Sequence, residues 1–383
     1  MPAEPRYDVV IVGGGLQGAL LTLALLQRTP ALRLALVEQS ATFGGNHTWC
    51  LHPADAPASA EPLLSQLIAH SWDGYEVRFP GLKRQLSGRY AAVTSARLHA
   101  VLAEMLEWHA GAQAYLGHAA TEVAEKRVVL SDGTQLQAEL VFDARGPESS
   151  AAGGRCGYQK FVGLELDFAH EHGVERPILM DVLAEQGDGF HFMYVLPLSP
   201  RRLLVEDTTF SRSPRLDLQA CAQTVRAYAR AHYGEPVCEV RQEHGILPMT
   251  WARHGEAPQA GKPLVVGYRG GFFHPATGYS FPVALRVALC VAKGVAEGQV
   301  QRRLAELWRG HRQQARHAER LNWLAFHAFA PEDMGHVFER FYRLSETLIH
   351  HFYALQCGPV DWLRIVVGRP PKGVSLKAVW RAV

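Results

Sequence analysis

Gly13, Gly15 and Gly18 stand between an apolar, β-branched run (Val9-Val10-Ile11-Val12) and a helical stretch from Ala19 to Gln27. A strand turning through Gly-x-Gly-x-x-Gly into a helix makes a cradle for a pyrophosphate. Gly13 permits the tight turn, Gly15 lets the backbone approach the ligand, and Gly18 lets the helix pack near the strand. The helix N-terminus adds unpaired N–H groups and a partial positive charge. A second apolar run, Arg33 to Val37, ends in Glu38. Glu38 lies roughly twenty residues beyond the last glycine, where a carboxylate accepts from a ribose hydroxyl. Together these residues predict a dinucleotide site.

Other segments have side chains suited to the same ligand or to acid–base work. Phe43-Gly44-Gly45-Asn46-His47-Thr48-Trp49-Cys50 directly follows the second nucleotide strand and suits a loop closing over a ligand, with Gly45, Asn46 and His47 as contacts. Arg97 falls in the first turn of a helix over Leu98 to His109, where its charge opposes the helix dipole unless an anion is near; Ser95 can cap that start. Asp143, in the strand-and-turn Leu140 to Gly146, marks a second visit to the nucleotide or a local ion pair. Thr277, Gly278 and Tyr279 close a glycine- and aromatic-rich loop (Arg269 to Tyr279) that feeds a helix from Ser280 to Glu297, with Pro282 in its first turn. Glu206 and Asp207 end the apolar strand Arg202 to Val205. Buried there, Glu206 has a raised pKa and acts as an acid near neutral pH; exposed, the pair is a strand end with surface carboxylates. If the strand continues, alternation sends Asp207 to the opposite face.

These residues need elements to carry them. The chain of 383 residues is 48% hydrophobic and 20% charged, enough for a sizeable core in two domains or one elaborate one. A net charge of +2 does not suggest a nucleic-acid partner, and the six widely spaced cysteines form no CxxC pair or metal-ligand cluster. We therefore expect a reduced, cytoplasmic setting and no metal. No basic-then-apolar signal segment precedes the first strand, and no run approaches the ~18 apolar residues of a spanning helix.

The pattern predicts an α/β, Rossmann-like nucleotide domain over 1–74, 92–150 and 261–299. An inserted α+β substrate domain is expected over 75–91 and 151–260, and a mostly helical region over 300–383. Within the insert, Phe190 to Leu196 is an aromatic strand broken by Pro197 to Pro200. A helix covers Leu216 to His232, and Glu243 to Thr250 is a short segment with an acid at its start. Leu63 to His70 reads as a helix; Tyr75 to Phe79 and Arg84 to Tyr90 read as short strands.

Several segments together resemble the bacterial lycopene β-cyclase family: Gly44 to Trp49, Thr94-Ser95-x-Arg97, Asp143 to Gly146, Pro197-Leu198-Ser199-Pro200-x-Arg202-Leu203-Leu204-x-Glu206-Asp207-Thr208, and Phe273-His274-Pro275-x-Thr277-Gly278-Tyr279-Ser280. Arg340-Phe341-Tyr342, Phe352-Tyr353-Ala354, Arg364-Ile365 and Gly368-Arg369-Pro370-Pro371 are similar to it as well, so the resemblance runs through nearly the whole chain in order.

The resemblance implies an FAD-binding fold of the p-hydroxybenzoate hydroxylase/geranylgeranyl reductase type, required as reduced FAD with NADPH or NADH supplying electrons. It implies a redox-neutral isomerisation of lycopene's ψ end groups to β-ionone rings, through γ-carotene to β-carotene. It also places the important carboxylate at Glu206; Asp207, the second catalytic candidate, supports structure or tunes Glu206 from the opposite face. The chemistry asks for an acid that protonates C2 of an alkene, closure of the C5=C6 bond on the cation at C1, and loss of a proton from C6. The site must be apolar and exclude water. Phe190, Phe192, Tyr194, Phe272 and Phe273 offer ring faces to a cation, and His274 orients its loop or contacts substrate. The helix from Ser280 favours negative charge on a reduced flavin by ~0.3–1 kcal/mol. The tail after Asp361 mixes Arg364, Arg369, Lys372, Lys377 and Arg381 with apolar residues and lacks acids. It suits peripheral attachment to an anionic membrane surface, from which a long lipid is taken, or a solvated terminal helix. Two competing readings remain: a flavin-dependent monooxygenase or reductase of the same fold acting on another isoprenoid lipid, and a non-catalytic nucleotide- or isoprenoid-binding protein.

Overall fold

The computed structural model describes residues 5–146, 156–183, 187, 189–252 and 255–366. The expected tail residues Arg369, Lys372, Lys377 and Arg381 lie outside them.

Two sheets carry the molecule. The first has its parallel strands in the order Ala112–Leu116, Leu34–Glu38, Arg6–Val12, Gln135–Asp143, with Leu264–Val265 also parallel to Gln135–Asp143. Val9 to Val12 are buried on both faces, as parallel strands require. One face packs on the helices Leu16–Arg28, Ser95–Trp108 and Phe281–Ala296. Val10, Val12, Ala35 and Val37 point to the other, beneath the antiparallel strands Ala120–Val123 and Arg127–Leu130.

The second sheet has eight strands and holds the candidate acid. Pro236–Thr250, Cys156–Phe168, Arg202–Ser211 and Gly189–Ser199 are antiparallel neighbours in that order. Ile178–Val182, His70–Phe79, Leu82–Thr94 and Thr48–Leu51 follow. Side-chain alternation divides this sheet. Leu203 and Val205, with Val162, Leu164, Met193 and Val195, pack beneath helix Leu218–Tyr233. Leu204 and Phe210, with Phe190, Phe192 and Leu196, face the C-terminal helices through Phe326, Met334, Tyr342 and Ile349. Among the described residues the C-terminal region consists of Val300–Ala328, Met334–Phe341, Glu346–Tyr353 and Pro359–Val366, apart from one short 3-10 turn, Pro331–Asp333. Arg312 and Glu319 form an ion pair at 2.6 Å on the buried side of the first of these helices.

Several elements differ from expectation for tertiary reasons. The predicted boundary between residues 74 and 75 falls inside strand His70–Phe79, and Thr48–Leu51 also joins the second sheet rather than the nucleotide half. Pro197 does not break its strand; a register shift between Pro197 and Ser199 absorbs it, and its carbonyl accepts from the Trp72 indole at 3.1 Å. Glu206 sits mid-strand, because Arg202–Ser211 continues through it. The segment from Glu243 is the end of a fifteen-residue strand. The helix Ser95–Trp108 is capped by Thr94, whose Oγ1 accepts from Arg97 N at 3.2 Å, not by Ser95.

Candidate active site

One cavity of about 1180 Å³ is walled by both sheets, the loop at 268–280 and the C-terminal helices. That exceeds the ~300–1,000 Å³ of an ordinary ligand pocket.

The glycine turn forms part of the wall through Gly13 and Gly15. Gly13 has φ +103°, and a Cβ there would lie 2.9 Å from the Ala144 carbonyl. At Gly18 a Cβ would fall 1.8 Å from the Gly13 carbonyl oxygen, so only glycine lets the helix start so close to the strand. At Gly15 a Cβ would meet nothing within 4 Å; the glycine faces open cavity. Glu38 lines the wall and accepts from the backbone N–H groups of Gly14 at 2.7 Å and Ser40 at 2.8 Å. Gln17, also on the wall, keeps its Oε1 buried with no hydrogen-bond partner among the described residues. Thr277, Gly278 and Tyr279 line the cavity just before helix Phe281–Ala296. Gly278 adopts φ +65°, and its carbonyl accepts from the Tyr268 hydroxyl at 2.6 Å.

Glu206 faces the same cavity from the second sheet, among Phe192, Tyr194, Phe210 and Leu247. Its side chain lies next to that of Glu243 across Gly163, and burial together with that neighbour pushes its pKa well above the ordinary value. Like charges in contact cannot both ionise cheaply in a low-dielectric site. Glu243 is itself 1% exposed and held from behind. Arg241 Nη1 donates to it at 2.5 Å and the Thr48 hydroxyl at 3.0 Å, while Arg241 also reaches Thr48 at 2.8 Å, Asn46 at 2.9 Å and Glu165 at 3.1 Å. Tyr194 is the cross-strand neighbour of Glu206. Its hydroxyl donates to Cys50 Sγ at 3.0 Å and pairs with Tyr90 at 3.1 Å, so it is turned into a local network.

Several expected contacts lie elsewhere. Asp207 points to the opposite face of the strand, away from the cavity, where His191 Nε2 pairs with it at 2.6 Å. Asn46 donates to the Gln242 carbonyl at 2.6 Å and so pins its loop to the strand carrying Glu243, not to the nucleotide side. Gly45 and His47 of that loop are on the wall, with the His47 pKa lowered chiefly by burial. Arg97 is exposed and donates to the Gln66 carbonyl at 2.7 Å rather than into the cavity. Asp143 lies behind the wall that Arg145 and Arg269 form, bound by them at 2.6 and 3.1 Å. Burial alone would raise its pKa; the hydrogen bonds and charges of the two arginines hold it below the ordinary range. Phe190 is buried in a stack with Phe338 at 4.6 Å, and Phe273 stacks on Tyr268 at 4.3 Å, so both are packing residues. His274 is fully buried, held by the Phe352 carbonyl at 2.9 Å and by Ala276 N at 3.1 Å. Burial lowers its pKa to about 3, which fits a loop strut. Phe192 and Tyr194 alone of the five expected pocket residues reach the wall.

Glu243 and its clamp were not among the expected site residues. The sign was there: Arg241 and Glu243 are two apart and so share a face of any strand. Reading the segment as beginning at Glu243 hid that.

This architecture recurs in solved structures of other proteins. The chain superposes on a geranylgeranyl bacteriochlorophyll reductase-like protein from Thermoplasma acidophilum with a TM-score of 0.66 and 14% identity, covering 100% of both chains. A probable FAD-dependent monooxygenase from Pseudomonas aeruginosa gives 0.61 and 16%, covering 88% of this chain and 99% of that one. Within that fold, the sequence narrows the class. The family model described as lycopene cyclase protein matches residues 8–379. The chain is 36% identical to the lycopene beta-cyclase of Pantoea ananas over 98% of each. It is 39% identical to that of Pseudescherichia vulneris, over 98% of this chain and 96% of the relative. The protein belongs to the lycopene cyclase family.

Proposed function

We propose that this protein is a lycopene β-cyclase, an FAD-requiring isomerase that converts the ψ end groups of lycopene to β-ionone rings without net redox change. The observation that carries the reading is a half-buried glutamic acid, its pKa raised by desolvation and a neighbouring acid, facing a wall of aromatic and aliphatic side chains in a cavity shared with a glycine-rich strand–helix turn.

The residues present fit FAD. Gly15 fronts open space, Gln17 Oε1 is buried without a partner among the described residues, and Glu38 retains lone pairs beyond its two backbone bonds. Gly13, Gly15, Gly18 and Glu38 would hold the adenosine diphosphate portion. Thr277, Gly278 and Tyr279, at a helix N-terminus, would receive the flavin ring. Reduced FAD, charged by NADPH or NADH, would supply negative charge that stabilises a cation.

The chain's own residues do the proton work. Glu206 gives its proton to C2 of the ψ end group. The cation at C1 is captured by the C5=C6 bond, and the ring closes. C2 and C6 are both bonded to C1 in that ring, so one carboxylate reaches both: Glu206, now anionic, takes the proton from C6. Phe192 and Tyr194, both on the wall, supply aromatic surface that tolerates the charge. Apolar walls keep out water, which would trap the cation as an alcohol.

Lycopene would enter from a membrane surface. No helix among the described residues is long and apolar enough to cross a bilayer. Helix Pro359–Val366 exposes Val360, Leu363 and Val366, while its Ile365 and Val366 also line the cavity. An amphipathic helix so placed, with Arg364 beside it, supports peripheral docking at the cavity mouth.

The test is an anaerobic assay of the purified protein with lycopene in liposomes and chemically reduced FAD, with the carotenoids separated by chromatography. β-Carotene should form with no net flavin oxidation. Lycopene left unchanged beside bound reduced flavin would overturn the reading, and an oxygenated product under air would transfer it to the monooxygenases.

A further inference from the structure

Between the two glutamates lies a glycine. Gly163 is the register partner of Glu206 on one side and of Glu243 on the other. A Cβ at this position would lie 2.9 Å from Glu206 Cγ and 3.1 Å from Glu243 Cγ. Gly163 is not among the glycines with positive φ, so the backbone does not demand glycine here. Glycine inside a strand weakens it and marks a close approach; here the close approach is of two acidic side chains across the strand that separates them.

The surroundings of the two carboxyls are unequal. Glu243 accepts from the Arg241 guanidinium and the Thr48 hydroxyl. Glu206 faces the apolar cavity, with Glu243 as its acidic neighbour across Gly163. A single proton shared by the pair therefore belongs on Glu206. The other groups facing the pair leave this assignment unchanged. Glu165 offsets Arg241 from the middle strand, at 3.1 Å. His47 is kept neutral by burial, and Tyr194, Tyr90 and Cys50 are pushed up by burial and stay protonated.

We propose that Glu243, Gly163 and Arg241 form a proton-holding unit around Glu206: Glu243 is the positioning residue that keeps the proton on the cavity-facing acid, and Gly163 is the gap through which the two carboxyls meet. The use of that proton rests on the cyclase reading. The unit's balance closes on itself. At rest the two glutamates carry one proton and one negative charge. Proton transfer from the Glu206 oxygen to C2 leaves two carboxylates beside Arg241 and a cation on the substrate. Loss of the C6 proton to Glu206 restores the starting state, so no proton need come from water.

Glu243→Gln and Gly163→Ala test this from two sides. Glutamine keeps the shape and removes the charge, leaving Arg241 to act on Glu206 alone. Alanine keeps both carboxyl groups and separates them. In the liposome assay, both variants should lose activity at alkaline pH by at least about tenfold, the consequence of one unit of pKa. Activity should recover toward wild type below neutral pH, with KM for lycopene and flavin affinity unchanged. Loss at every pH in equal proportion, or a pH profile identical to wild type, would overturn the proposal.

A second measurement needs no turnover. The infrared carbonyl band of a protonated carboxylic acid, assigned by its disappearance in Glu206→Gln, should titrate at lower pH in both variants than in wild type. An unmoved titration overturns the proposal even if the cyclase reading stands. Wild-type protein that leaves lycopene unchanged would sink that reading, while the infrared comparison would still decide the proton-holding unit.

Discussion

Asp143 and Glu206 are both carboxylic acids on strands beside the same cavity, and their surroundings drive them to opposite charge states. Asp143 lies at the nucleotide end behind Arg145 and Arg269, whose bonds and charges outweigh burial and hold it ionised. Glu206 has an apolar face in front and a second glutamate beside it, and both push its pKa up. At the glycine-turn end two cations hold the carboxyl's pKa down; at the aromatic end desolvation and a neighbouring acid push it up. A carboxyl's role follows from whether its nearest partner is a cation or another acid.

The contrast is broken most severely by Glu206→Gln, which removes the transferable proton while leaving the shape. Turnover should fall by about 10²–10⁴-fold, the usual contribution of a positioned acid, with flavin absorbance of the purified protein unchanged. Activity near wild type would take Glu206 out of the reaction.

Two glycines sharpen the other end. Gly18→Ala forces its Cβ onto the Gly13 carbonyl, so both flavin content and the melting temperature should drop. Gly15→Ala meets no protein atom, and should weaken flavin binding while the apoprotein melts normally. Equal melting losses in the two variants would mean that Gly15 serves packing, not approach of the ligand.

Acid and alkaline stability separate the two carboxyls. The folded-state pKa of Asp143 is depressed, so its stabilisation is present above the unfolded value and is lost as pH falls through the folded one. For Glu206 the folded-state pKa is raised. Its contribution is full below the ordinary 4.5 and is lost as pH rises toward the folded value. Denaturant melts across pH should show Asp143→Asn flattening the acid limb and Glu206→Gln flattening the opposite one.

The smallest effect is expected at Arg97→Ala. Its guanidinium caps the Gln66 carbonyl outside the cavity, so flavin affinity should stay within about twofold, a change of only a few tenths of a kcal/mol. A larger loss would return Arg97 to the nucleotide site.

Much of this protein is legible in local sequence patterns. The β-branched run, the three glycines and Glu38 are neighbours along one strand–turn–helix and one following strand, so their spacing alone defines their geometry. Alternation likewise separates Glu206 from Asp207 correctly, because side-chain direction in a strand depends only on parity. His274 and Phe273 mislead, since a loop rich in glycine and aromatics resembles a ligand loop whether its rings turn inward or outward.

What the sequence determined by itself was therefore the glycine turn between strand and helix, the family, and the opposite facing of Glu206 and Asp207. Tertiary structure alone decided that Glu206 has Glu243 for a partner, that Gly163 leaves the space between them, and that Asn46 and Thr48 brace the arrangement. Those residues come from four separate strands and a loop, and strand register brings them together. Register is set by which faces of a whole sheet must be buried, a property of the assembled core that no single stretch of chain contains.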